Sequence, residues 1–105
     1  MTARKQKKVT AAGVLGAIVR HREDVRRFGV RRLGLFGSAV RGQARHGSDL
    51  DFVVEFDRET FDNYMGLKIY LEDLFHKKID LVMADAIKER LRPAIMSEVK
   101  YAQGL

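Results

Sequence analysis

The chain has 105 residues, one proline and no cysteine, the size of one small domain, and this excludes disulfide frameworks and cysteine-based zinc sites. Lysine and arginine outnumber aspartate and glutamate 20 to 14, giving a net charge of +6 and a pI near 9.9, so an anionic partner is expected: a nucleotide, a nucleic acid or an acidic protein surface. No apolar run approaches the ~18 residues of a membrane span, no apolar core follows the basic N-terminus as in a secretory signal, and the absence of cysteine fits a reducing compartment; a cytoplasmic protein is expected.

Residues 1–9 are polar, basic and aperiodic and are expected to form a disordered tail, leaving 10–105 as the folded domain. Thr10 can cap a helix over 11–27, whose apolar Leu15, Ile18, Val19, Val25 and Phe28 recur every three or four residues, with Gly29 as its stop. Residues 30–36 read as a strand with Leu33 and Leu35 on one face. Gly37-Ser38 breaks it, a short helical turn over 38–41 ends at Gly42, and 43–48 is a polar loop. Residues 50–56 are a second strand. Leu50, Phe52, Val54 and Phe56 point one way, and Asp49, Asp51, Val53 and Glu55 the other.

A helix over 61–76 carries Phe61, Tyr64, Leu67, Leu71, Leu74 and Phe75 as an apolar stripe, read as core rather than interface. Lys77 and Lys78 sit at its C-terminal end, where the helix dipole favours cations. Residues 79–83 are a third strand with Asp80 and Val82 on one face. A helix over 85–90 follows, and Pro93 enters the first turn of a last helix running to 102. The fold class is α/β (α+β): a small mixed sheet of about three strands with helices packed on it. The helix between the second and third strands can make a parallel crossover.

The chemistry gathers between Leu33 and Phe56. Asp49 and Asp51 are two apart on a strand, so both leave the same face with Cα atoms about 6.5–7 Å apart. Two carboxylates at that spacing can share hard divalent ions, and magnesium commonly bridges such groups to substrate phosphates. A bare Asp-x-Asp can equally cap a strand start. Gly37-Ser38 can cradle a phosphate: glycine allows close backbone approach, serine offers a hydroxyl and an amide, and the N-terminus of the helical turn that follows favours anions. Arg41 can contact phosphate or face water. Ser48 closes the loop just before Asp49 and is grouped with Gly37, Ser38 and Arg41 as nucleotide-binding. Asp80 lies mid-strand, where aspartate is disfavoured. If the third strand lies beside the second, Asp80 joins the other carboxylates and can polarise or deprotonate an attacking hydroxyl. Together these residues read as a site for a metal-bound nucleoside triphosphate, a complete set for phosphoryl transfer.

Gly37-Ser38, ten intervening residues and Asp49-x-Asp51 resemble the signature of the polymerase-β-like nucleotidyltransferase superfamily. The run GSAVRGQARHGSDLDFVVEF resembles the minimal nucleotidyltransferase (MNT) family in particular, and KIDLVMADAIKERLRPAIMSEVKYA is similar to that family's third strand and final helices. The likeness covers residues 12–105. It implies that Gly37 and Ser38 bind triphosphate, that Asp49 and Asp51 hold magnesium, and that Asp80 is the third carboxylate; two magnesium ions held by Asp49, Asp51 and Asp80 are expected. It further implies an antitoxin that transfers AMP from ATP to a tyrosine hydroxyl of a HEPN-domain ribonuclease toxin.

A domain this small has little beyond the nucleotide site with which to enclose a second small molecule, which agrees with a protein acceptor. Three other readings remain at this stage: an antitoxin acting by complex formation without catalysis, a small-molecule adenylyltransferase, and a basic nucleic-acid binder resting on charge alone. His21, His46 and His76 read as surface residues, and Tyr64, Tyr70 and Tyr101 as structural.

Overall fold

The computed structural model describes residues 9–45 and 47–105; the expected tail over 1–8, and His46, lie outside the described residues. Val9, assigned to the tail by its neighbours, packs against the core. Thr10 Oγ1 accepts the Gly13 N–H at 3.0 Å and caps α1 (Ala11–Arg20). The single helix expected over 11–27 is broken at His21 (φ −113°, ψ 22°), and α2 spans Arg22–Arg26. The His21 ring Nδ1 lies 2.8 Å from the Ala17 carbonyl oxygen, so a side chain competes for a backbone acceptor of the ladder. His21 is half-buried rather than a plain surface residue, with its ring edge-on to Tyr70. Gly29 stops the segment at φ 75°.

Strand β1 (Val30–Phe36) runs antiparallel to β2 (Leu50–Phe56), and β2 runs parallel to β3 (Ile79–Met83). Helix α3 (Phe61–Phe75) is the crossover between the two parallel strands, as its length and position predict. A bulge at Arg31 interrupts the β1–β2 register, pairing Val30 with Phe56 but Arg32 with Glu55. The extra residue lets Val30 and Leu33 both face the core although they are three apart.

The C-terminal third departs from expectation. In place of a helix over 85–90 there is a 3-10 turn, Ala84–Ala86; Ile87 after it is extended (ψ 129°). The last helix, α4 (Arg92–Glu98), has Pro93 in its first turn as expected but stops four residues before 102. The chain then adds a fourth strand, β4 (Lys100–Tyr101), antiparallel to β1, giving the sheet order β3-β2-β1-β4. The sheet is therefore four-stranded and mixed rather than three-stranded.

One face of this sheet carries Leu33, Leu35, Leu50, Phe52, Val54, Ile79 and Leu81, all buried in one cluster with Val14 and Ile18 of α1 and Leu67 and Leu71 of α3. On the other face Gly34 is paired with Val53, and a Cβ at Gly34 would meet Val99 Cγ1 at 2.5 Å. The segment after α4 thus lies flush on β1, which only glycine permits. Val53, expected on a polar face, is 1% exposed. Phe61, expected in the core stripe, is 76% exposed and instead lines a cleft of about 460 Å³ with Tyr64, Leu81, Val82 and Met83. Tyr64 and Tyr70 are tied into the fold, donating to the Leu81 carbonyl and to Asp24. Among the described residues no helix is long and apolar enough to cross a membrane.

Candidate active site

The carboxylates come together because the strands bring them. Parallel pairing sets Asp51 directly beside Asp80, and the antiparallel pairing on its other side sets Asp51 beside Phe36, the residue before Gly37. Neighbouring strands are about 4.8 Å apart, so the two aspartate side chains meet on the face away from the aliphatic core. Asp80 is close enough to act on the Asp51 carboxyl both by hydrogen bonding and by charge. Burial first, then that bond and the charge of Asp80, then the charge of Asp49, push the Asp51 carboxyl up from an ordinary 3.8 to about 6; Arg41 nearby pulls the other way.

Asp49 precedes β2, is exposed, and acts on Asp51 through its charge. Among the described residues no three acidic or imidazole side chains already close around a point that could hold a metal ion. What the structure holds is an aspartate pair in contact with a third carboxylate beside it. The donor set fits a hard divalent cation: it is all oxygen, and its surplus negative charge is what such an ion neutralises.

Gly37 is buried at φ 82°, in the left-handed region, and a Cβ there would overlap Asp51 Oδ2. Both its backbone angle and its contact with the carboxylate require glycine. The helical turn expected over 38–41 is a 3-10 turn, Gly37–Ala39, closed by Val40 and Arg41 N–H groups on the Gly37 carbonyl. Three residues give little helix dipole, so individual N–H groups are what an anion meets here. The Gly37 N–H already has an acceptor: Glu98 Oε2 at 2.9 Å. Arg41 Nη1 lies 3.1 and 3.2 Å from the two oxygens of the same carboxylate. Arg41, expected on phosphate or in water, is thus ion-paired. Ser38 is half-buried in the turn, its carbonyl accepting from Gln43. Ser48 Oγ accepts the Arg45 N–H at 2.9 Å and so braces the loop.

Sequence reasoning assigned no site role to Glu98 or Lys77. Lys77 donates to the Arg45 and Ser48 carbonyls at 3.2 Å each, gripping the loop that delivers Asp49. Its only sequence signal was its place at the end of a helix. Glu98 had none, because its role depends on a two-residue strand some sixty positions from Gly37.

Comparison with known proteins assigns the chain to a family. A family model for the nucleotidyltransferase domain matches residues 18–103. The protein adenylyltransferase MntA of Thermococcus cleftensis is 36% identical over 95 residues, covering 89% of this chain and 96% of its own. A solved structure assigned as a minimal nucleotidyltransferase superposes with a TM-score of 0.68 at 35% identity, over 82% of this chain and 93% of that one. The MNT antitoxin bound to the tri-AMPylated HEPN toxin of Shewanella oneidensis is 18% identical and shares the fold, with a TM-score of 0.63 over 91% of this chain and 74% of that one. The four-stranded sheet, the Gly37 turn and the Asp51–Asp80 pair are thus set in a chain that belongs to the nucleotidyltransferase domain family, among its minimal members.

Proposed function

We propose that this chain is a magnesium-dependent protein adenylyltransferase, an antitoxin that transfers AMP from ATP to a tyrosine hydroxyl of a HEPN ribonuclease toxin. The observation that carries the reading is the register that brings Asp80 against Asp51, one strand from the Gly37 turn. The adenylyltransferase activity named for the Thermococcus relative, over nearly the whole length of both chains, supports a protein acceptor. The AMPylated HEPN toxin beside the Shewanella antitoxin supports its class.

Asp49 and Asp51 would hold the magnesium, which when bound offsets triphosphate charge and polarises the α-phosphoryl group. The Gly37 amide, the Ser38 hydroxyl and Arg41 receive phosphate oxygens. Ser48 and Lys77 act at one remove, by fixing the loop that ends at Asp49. The acceptor tyrosine oxygen bonds to the α-phosphorus as the bond from that phosphorus to the pyrophosphate oxygen breaks. Pyrophosphate leaves with its electron pair, and the hydroxyl proton passes to Asp80.

The test is intact mass of the partner toxin after incubation with this chain, ATP and magnesium. Gains of whole AMP masses are expected, lost by more than about a hundredfold in rate in the Asp49→Ala, Asp51→Ala double variant. Transfer that persists in a folded double variant sinks the assignment. Neutralisation without any mass gain returns the stoichiometric antitoxin.

A further inference from the structure

We infer that Glu98 is a built-in anion seated on the phosphate-binding groups, and that a triphosphate must displace it to bind. The inference rests on the nucleotide-site reading above and goes beyond it, naming the residue that sets nucleotide affinity.

The backbone delivers this carboxylate. Strands β1 and β4 pair Gly34 with Tyr101 and Leu35 with Lys100. The ladder ends there; Val99 before it is extended (ψ 135°) and Glu98 is the last residue of α4, so the chain that enters β4 starts from Glu98. The flush contact of Val99 with Gly34, and the Ala102 N–H on the Leu33 carbonyl at 2.9 Å, hold the segment in that register. Glu98, at the junction of α4 and β4, is therefore held beside the Gly37 turn, where its side chain meets the Gly37 N–H and Arg41.

Its partners are those a phosphate oxygen takes: one backbone N–H and one guanidinium, with Arg41 meeting both carboxylate oxygens. The Gly37 N–H has one hydrogen and cannot serve both a carboxylate and a phosphate at full strength. A triphosphate arriving beside Glu98 would also face a like charge. One of the two anions must leave.

Glu98 is the easier to move. Its side chain is 24% exposed and ends α4, a seven-residue helix with no buried residue. Rotation of the side chain releases one partly exposed ion pair and one hydrogen bond, leaving β4 in place. Until a nucleotide arrives, the carboxylate holds Arg41 and the Gly37 amide in position and keeps them from other anions.

The experiment is calorimetric titration of a non-hydrolysable ATP analogue, with magnesium, into wild type, Glu98→Gln and Glu98→Ala. Glutamine keeps the shape and an acceptor for Gly37 but removes the charge. If Glu98 occupies the seat about nine-tenths of the time, removing it tightens binding about tenfold. In an Arg41→Ala background the gain from Glu98→Gln should shrink, because the two anions no longer compete for a guanidinium. Equal or weaker binding in a folded Glu98→Gln variant overturns the inference and makes Glu98 a positioning residue for the nucleotide. An undiminished gain without Arg41 overturns the shared seat. Millimolar analogue binding to neither wild type nor variants would instead overturn the nucleotide-site reading, and the inference with it. Thermal melts check the fold of each variant; should Glu98→Ala fail to fold, the isosteric glutamine decides.

Discussion

The two faces of the sheet obey opposite rules. On one, aliphatic side chains from β1, β2 and β3 meet α1 and α3 and vanish from water. On the other, β2 and β3 bring Asp51 and Asp80 together, with Asp49 just before β2, until the Asp51 carboxyl holds its proton near pH 6. The first face makes the fold stable. The second costs stability and holds the chemistry. Alternation along β2 sends Leu50, Phe52 and Val54 to the first face and Asp51 to the second, so a single strand serves both, although Val53 on the second face is also buried.

Substitutions on the two faces should therefore have opposite signs. The largest expected effect lies on the aliphatic face: Phe52 is fully buried and stacks on Phe75 at 6.1 Å. Phe52→Ala should cost about 3–5 kcal/mol of unfolding free energy, read by urea denaturation. A loss below about 1 kcal/mol would mean that this face does not carry the fold.

Next in size is Asp51→Asn, which should stabilise the protein in EDTA at pH 7 while removing transfer. The folded carboxyl titrates near 6 against 3.8 for an ordinary one, so between those values the native state holds more protons than the unfolded state. Stability contributed by this group is complete below about pH 4 and is lost as pH rises through 6. The asparagine variant lacks that loss. Allowing for solvent screening of a part-exposed group, the gain at pH 7 is on the order of 1 kcal/mol, a few degrees in Tm. Magnesium should narrow it, because the cation offsets the same repulsion. A lower Tm for Asp51→Asn in EDTA would contradict the contrast between the faces.

The smallest effect belongs to Phe61. At 76% exposure, Phe61→Ala should change stability by less than about 0.5 kcal/mol, despite its place in a hydrophobic stripe. A cost above 2 kcal/mol would return it to the core.

What was legible in the sequence follows the same division. The period-two alternation of Leu50, Phe52 and Val54 and the spacing of Leu67 and Leu71 identified the core face, because burial repeats at the period of the element. The Gly37 turn and the Asp49–Asp51 pair were legible because their chemistry is local. The failures were non-local or set by position within an element. Phe61 matches the stripe, but it is the first residue of α3, and helical side chains lean toward the N-terminus, here beyond the packed turns. His21 breaks a helix with no glycine or proline to announce it, through its own ring contact with Ala17. Strand β4 has two residues and no periodicity to detect. It exists because Gly34 leaves room for Val99, and with it went any chance of seeing Glu98.

The parallel pairing of β2 and β3 advances in strict step, from Leu50 with Ile79 to Val54 with Met83, a constant offset of 29 residues. That offset makes chain length between the strands a chemical quantity. One residue added or removed over 57–78, if taken up by slipping β3, would put Ile79 or Leu81 beside Asp51 and turn Asp80 toward the aliphatic face. The loop over 43–48 lies outside the sheet, so a length change there can be absorbed without altering which carboxylates meet. A length change confined to the 43–48 loop should therefore disturb the Asp51–Asp80 register less than one of equal size over 57–78.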